Sequence, residues 1–373
     1  MLTAAAAHRL QLIQTQGRPP NVVTAFRWSY SFHKSKTYQL VNQLLTEDEV
    51  ALADTTVGTI LYLAAADLIS GDISSALIHL AGLSQVVKLR GGIQTLPRLL
   101  AFFLNFTDCM LAMTILERPR LPLYSARIAG FNHVSATAAQ PPPPPIEQPA
   151  FHGSELSQIL DRESLGILSE IQTLDEGFEH FTTRVATVSD LDDIEYRCVA
   201  TQHRLLSFDY KSLMFTDAVS PTVHTESQIL QGCCRLTMLI YFATGVWRFP
   251  DVLPESAQLM SIISVLENLL ASLSPSPTCA SQGSSSLDWQ PAHPEALLWI
   301  CFYTAFSATG SQRTRFVELI RRTCNVLRVR RFRDAEAVLD KFLYKRAVFC
   351  RPFLEVWEEV VYLNTTLGLP DPS

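Results

Sequence analysis

Charge is scarce in this chain. Asp, Glu, Lys and Arg make up 18% of its 373 residues against 47% hydrophobic ones, the opposite of a disordered chain. The formal net charge is −6, so no global field draws it to nucleic acid. Zinc-cluster spacing is missing as well. The eight cysteines stand at 109, 198, 233, 234, 279, 301, 324 and 350, and no two are spaced C-x-x-C. Such scattered thiols read as reduced, hence intracellular. Catalytic signatures are absent: there is no G-x-S-x-G, no H-E-x-x-H and no phosphate loop. Asn-Gly and Asp-Gly turns between alternating runs are lacking, which leaves strand signals weak. No fixed-period repeat marks a solenoid. The start, MLTAAAAHRLQL, has no basic n-region, so no signal peptide is expected. The longest apolar run, Leu99–Leu116, holds Asn105 and Asp108 near its centre. Those would be costly in lipid, so the run is read as a buried helix and the protein as soluble, with no membrane partner.

What is present is helical period. Three blocks, about 36–118, 154–272 and 294–364, carry apolar residues at spacings of three and four, the mark of a helix with one buried face. Ile229, Cys233, Leu236, Ile240, Ala243 and Trp247 show it most clearly, with Ser220-Pro221 as a helix start. Ser189 with Asp192 gives a capping-box-like start for another helix. Two stretches read as linkers. Residues 133–153 contain the proline run Pro141–Pro145, and residues 273–293 are rich in Ser and Pro. The expected fold is all-α: a multi-helix bundle of roughly ten or more helices with disordered Pro-rich and Ser-rich loops, forming a single domain over 1–373.

Residues 55–118 hold the most structured local pattern. Thr55–Ser70 is an apolar helix broken by Gly71-Asp72. Ser74 or Asp72 can cap the next helix, whose Leu77, Leu80, Leu83 and Val87 share a face. Gly91 stands where a helix C-terminus wants a left-handed residue, Gly92 follows, and Arg90 lies in the last turn, where its charge complements the helix dipole. A third helix starts near Leu96 and ends before Arg118-Pro119. His79 reads as a satisfied core histidine. Asp108 sits in an apolar surround and is expected to be paired, with Arg90 and Arg118 as candidates, because a lone buried carboxylate is expensive.

The order of these elements resembles the regulatory domain of fungal zinc-cluster (Zn2Cys6) transcription factors. The resemblance rests on Ala53-Asp54-Thr55-Thr56-Val57, then Gly71, His79, Gly82, Leu83, Val86, Val87, Arg90, Gly91, Gly92 and Ile93, with Asp108 and Arg118-Pro119 after them. Ile229–Trp247 and Glu295–Phe306, leading to Arg315-Phe316-Val317, extend it over most of the chain from about 40 onward. The family's DNA-reading module needs six clustered cysteines to hold zinc, and that spacing is not here. The chain is therefore expected to be a truncated gene model, a shortened relative or a partner-dependent regulator.

Two charged groups stand outside this pattern. Residues 311–333 hold eight of the 30 basic residues against the single acid Glu318. Their end, Arg328, Arg330, Arg331 and Arg333, is a candidate basic patch for phosphates or nuclear localisation. Phe316, Val317, Leu319, Ile320, Val326 and Leu327 interleave as a helix core face, so a solvated helix face is the competing reading. The acids Asp190, Asp192, Asp193 and Glu195 fall in the first turns of a helix, where carboxylates are favoured without any catalytic role.

The resemblance implies a transcriptional regulator in the nucleus, lacking its own DNA-binding module. It implies protein partners of the transcription machinery, a small-molecule effector, DNA contact only indirectly or through a missing N-terminal module, and a homodimer as one assembly. The alternative is a helical interaction scaffold derived from that family with no promoter role. A helical enzyme with a dispersed site is a third reading. No catalytic residue, cofactor or metal is expected.

Overall fold

Apolar spacing of three and four becomes helix throughout a computed structural model that describes residues 2–124, 154–183, 188–214, 224–247, 255–273 and 291–366. Every regular element among them is helical, as expected. The chain divides into two compact units. One comprises Met1–Pro143, Glu195–Ser207 and Phe249–Gln258; the other comprises Pro144–Ile194, Phe208–Arg248 and Leu259–Ser373.

The first unit contains α1 (Leu2–Thr15), α2 (Pro20–Leu44), the short α3 (Asp48–Ala51), α4 (Asp54–Ser70), α5 (Ile73–Leu89) and α6 (Arg98–Ile115). Helix thus begins well before residue 36. An alanine-rich α1 and a mostly polar α2 show little apolar period, so their helicity is hard to see in the sequence. Gly17, at φ 61°, and Pro19-Pro20 separate them. The two helices seat on α4 through Ala7, Leu10, Tyr30 and Ala66. Helix α4 is buried nearly all round, with Val57, Leu63, Ala64 and Ala66 inaccessible, and that makes it the centre of this unit. Helix α5 buries Ala76, Leu80, Leu83 and Val87 on one face.

The second unit contains α7 (Leu156–Ile159), α8 (Arg162–Thr183), α10 (Tyr210–Met214), α11 (Glu226–Tyr241), α13 (Pro294–Ser307), α14 (Gly310–Leu327), α15 (Phe332–Leu339) and α16 (Arg346–Thr366). Helices α9 (Val188–Leu206) and α12 (Glu255–Leu273) contribute residues to both units. Helix α13 is the centre here, with Ala296 through Ala305 all buried. Helix α11 begins later than expected. Thr225 accepts from Gln228 N at its start and Gln228 reaches back to the Thr225 N–H, a reciprocal cap that satisfies two otherwise orphaned donors. Ser220-Pro221, the start expected from sequence, lies outside the described residues, as do the proline linker 133–153, residues 274–290 of the second linker and the side chains of Ser189, Asp190 and Asp192.

Two described helical stretches, Arg98–Ile115 and Glu226–Val246, are long and apolar enough to cross a membrane; 67% and 72% of them are packed inside the protein.

Candidate functional site

The motif residues cluster around the α4–α5 corner. Gly71, at φ 79°, ends α4 in the left-handed conformation that glycine adopts without a Cβ penalty. Asp72 then caps α5, its Oδ1 accepting from Ser75 N at 3.1 Å. Of the two caps open in the sequence, the chain uses Asp72. The corner is therefore one residue of helix stop followed by one residue of helix start.

A buried carboxylate sits behind that corner. Asp67, on α4, is fully inaccessible. Its Oδ1 accepts from Tyr30 OH at 3.0 Å and pairs with Lys34 Nζ at 2.6 Å, both from α2. His79 Nε2, from α5, lies 3.3 Å from its Oδ2, near enough for charge but off the line of a hydrogen bond. The same nitrogen is 3.1 Å from Tyr38 OH. Lys34 also pairs with Asp72 Oδ2 at 3.0 Å and lies over the rings of Tyr30 and Tyr38. Burial alone would lower the Lys34 pKa, but its bonds to Asp67 and Asp72 outweigh that and hold it above the ordinary lysine value. His79 is thus a side chain with partners on α2 and α4 that joins three helices.

Arg90, Gly91 and Gly92 form a stop and a strap. Gly92 N donates to Val87 O at 2.8 Å and Gly91 N to Lys88 O at 3.1 Å, the paired bonds of a Schellman end. Both glycines have positive φ, 100° and 105°. The Arg90 guanidinium does not simply face its own helix end. Nη1 donates to Leu52 O at 2.8 Å, and Nη2 pairs with Asp54 at 2.5 Å. Arg90 therefore ties the end of α5 to the start of α4. Gly92, with ψ 169°, occupies a region almost exclusive to glycine. Gly92→Ala is expected to cost about 1–3 kcal/mol, read as a lowered urea midpoint. A midpoint equal to wild type would show that the backbone strain is absent.

Leu83 lies in the core, fully buried. Gly82 lies on the exposed face of α5, where a Cβ would meet nothing within 4 Å. No packing in the described residues accounts for a glycine there.

Asp108 is held differently from the expectation. Neither Arg90 nor Arg118 is its partner. Its Oδ2 accepts from Leu121 N at 2.7 Å. Three residues earlier on α6, Asn105 accepts from Tyr124 N at 2.8 Å and donates to Pro122 O at 3.1 Å. His203, from α9, lies 3.1 Å from Leu121 O. Two polar residues of a largely apolar helix thus grip the extended segment 121–124 along its backbone. Burial pushes the Asp108 carboxyl up, and the N–H groups of Leu121 and Arg120 pull it partly back. A carboxylate can be satisfied by backbone amides without a cation, which is why sequence spacing pointed to the wrong partners.

The arginine-rich stretch splits in two. On α14, Arg313 pairs with Glu359, Arg315 with Glu267, and Arg321 and Arg322 with Glu318. Arg321 and Arg322 hold the Glu318 carboxyl below its usual range despite partial burial. Phe316, Val317 and Ile320 form the core face of that helix, while Val326 is exposed. Arg328, Arg330, Arg331 and Arg333 all lie exposed at the α14–α15 turn.

Several polar groups were missed in the sequence. Asp175 on α8 accepts from Lys345 Nζ at 2.7 Å and from Tyr241 OH at 2.8 Å, all buried in the second unit. Asp67 had a visible signal: one acid inside the apolar run Leu61–Ile69. Six of the seven described cysteines are buried and free. Desolvation holds the Cys233, Cys234, Cys301 and Cys324 thiols protonated, Cys324 pushed up to about 12, which suits packing rather than nucleophilic chemistry. An open groove of about 500 Å³ in the first unit is lined by Arg9, Leu12, Ile13, Arg18, Val22 and Phe26.

The motif residues therefore do three separate holding jobs and do not converge on one pocket. Among the described residues no group of His, Cys, Asp and Glu is arranged to hold a metal. A family model described as fungal specific transcription factor domain matches residues 1–342. No curated protein and no solved structure matches the chain.

Proposed function

Because this chain belongs to the fungal specific transcription factor domain family, we propose that it is a transcriptional regulatory domain that works in the nucleus without reading DNA itself and without catalysis. The observation that carries this reading is the extent of the family match, which takes in all of the first unit and most of the second. The motif's chemistry supports it. His79, Arg90, Gly91, Gly92 and Asp108 are spent on holding helices and a return segment together, which is what a rigid relay of protein contacts needs. The cysteine spacing of a zinc cluster is missing from these 373 residues, so promoter contact comes through a partner or a separate module.

Tethering tests this. Fused to a heterologous DNA-binding module in a fungal cell, the chain should change transcription of a reporter carrying that module's site. Equal output from the fusion and the bare module would sink the regulatory reading. Sequence-selective, salt-resistant DNA binding by the purified chain would sink the statement that it does not read DNA.

A further inference from the structure

We propose that the turn between α14 and α15 is a docking surface for an acidic peptide segment of a protein partner. The contrast within the arginine-rich stretch carries the idea. Each of the four arginines on α14 has a carboxylate partner, whereas Arg328, Arg330, Arg331 and Arg333 make no ion pair or hydrogen bond through their side chains among the described residues. Four guanidinium groups within six residues repel one another, and the stretch that pairs its α14 arginines leaves these four open.

The backbone beneath them is fixed. Arg328 ends α14 in the left-handed conformation, at φ 57°, and Val329 N donates to Cys324 O at 2.9 Å. Val329 is buried and pins the turn to the core. Phe332, behind the arginines, packs toward Trp357 with ring centroids 6.3 Å apart. The ordering entropy of the turn is thus already spent on its own core contacts.

The turn also offers donors of a second kind. The backbone N–H groups of residues 330 to 333 have no acceptor among the described residues, and those of Phe332 and Arg333 open the first turn of α15. Fixed amides at a helix start and guanidinium forks both match carboxylate oxygens. Asp334 follows in that first turn and makes no ion pair with any of the four. Glu336 is engaged elsewhere, with Tyr344 and Arg346.

The size of the patch selects the occupant. Its six residues span only about 20 Å even fully extended. The exposed acids Asp334 and Asp340 follow it, and the chain as a whole carries −6. A duplex presents a charge about every 1.7 Å over a long rigid surface, which would overrun the patch and meet those acids. A short acidic peptide meets the arginines alone.

The surface supplies partner chemistry to the regulatory role proposed above and rests on that role only for its setting. Binding is read with the purified full chain, whereas the regulatory reading is tested by the tethered reporter, so either can fail alone. The probe is a fluorescein-labelled peptide of alternating Glu and Ser, followed by anisotropy at low and physiological salt. The expected result is saturable binding that weakens about tenfold in Arg330→Gln/Arg331→Gln and further in Arg330→Glu/Arg331→Glu, with Arg313→Gln/Arg315→Gln close to wild type. Circular dichroism checks that helix content is unchanged in each variant. The proposal is overturned by absence of peptide binding at low salt, by equal binding of the turn variants and wild type, or by a DNA duplex or RNA strand of equal charge binding more tightly than the peptide.

Discussion

Lys345→Ala should unfold the second unit at markedly lower urea, with a loss of about 3–5 kcal/mol. The cause is the charge left behind. Asp175 is buried, and its two oxygens are taken by Lys345 Nζ and Tyr241 OH. Without the ammonium, one oxygen faces the core, where Tyr303 and Phe349 pack against the Tyr241 ring with centroids 5.8 and 5.6 Å away. Removing one partner of a buried pair costs far more than replacing both. Asp175→Leu/Lys345→Met should therefore recover most of the loss. Tyr241→Phe removes only one neutral donor and should cost about 1–2 kcal/mol. A Lys345→Ala midpoint within about 0.5 kcal/mol of wild type would mean the carboxylate is not isolated from water. A double variant no better than the single would mean that packing, not charge, sets the cost.

That pair also shows where sequence reading stops. Asp175 and Lys345 stand 170 positions apart, and neither carries a local mark that names the other. Their meeting is a product of tertiary packing around α13. Elements whose cause is local were legible. The spacing of Cys233, Leu236 and Ile240 gave α11, and Gly91-Gly92 gave the end of α5, because a period and a left-handed stop are written in neighbouring residues. Helix α1 was not legible, because AAAAH has propensity without an amphipathic face and is held by burial against α4. Asp108 was legible as an expensive buried acid but not in its pairing, since its partner is a backbone amide, and every residue has one. His79, expected as a satisfied core histidine, is half-buried with Tyr38 and Asp67 beside it, and Asp67 was overlooked within an apolar run. A single carboxylate inside an otherwise apolar run is itself the signal: it needs a partner, and here Lys34 supplies one.

Asp67→Ala should cost the first unit about 3 kcal/mol and make its stability less sensitive to alkali. The magnitude sits below that for Lys345 because Lys34 keeps Asp72 as a second partner and lies nearer water. Tyr30 loses its carboxylate acceptor and keeps Ser70, and His79 loses a charged neighbour. The alkaline effect follows from two groups of the same sign. Burial pushes the Tyr30 hydroxyl up to about 12, against an ordinary value of 10.0, with Asp67 adding to the rise and Ser70 and Lys34 opposing it. The folded state then keeps a proton that the unfolded chain releases above pH 10, so stability is full below that and falls as pH climbs toward 12. Lys34, held charged by Asp67 and Asp72, contributes in the same direction: its stabilisation is present below the ordinary lysine value and is lost above it. In Asp67→Ala the Lys34 shift relaxes and the Tyr30 shift loses the share Asp67 adds while burial keeps the rest, so the urea midpoint should fall less steeply between about pH 9 and about pH 11 than in wild type. Tyr30→Phe should flatten only the tyrosine part of that slope. A wild-type midpoint that is level across this range, or an Asp67→Ala slope equal to it, would show that α2 and α4 are not coupled through this carboxylate.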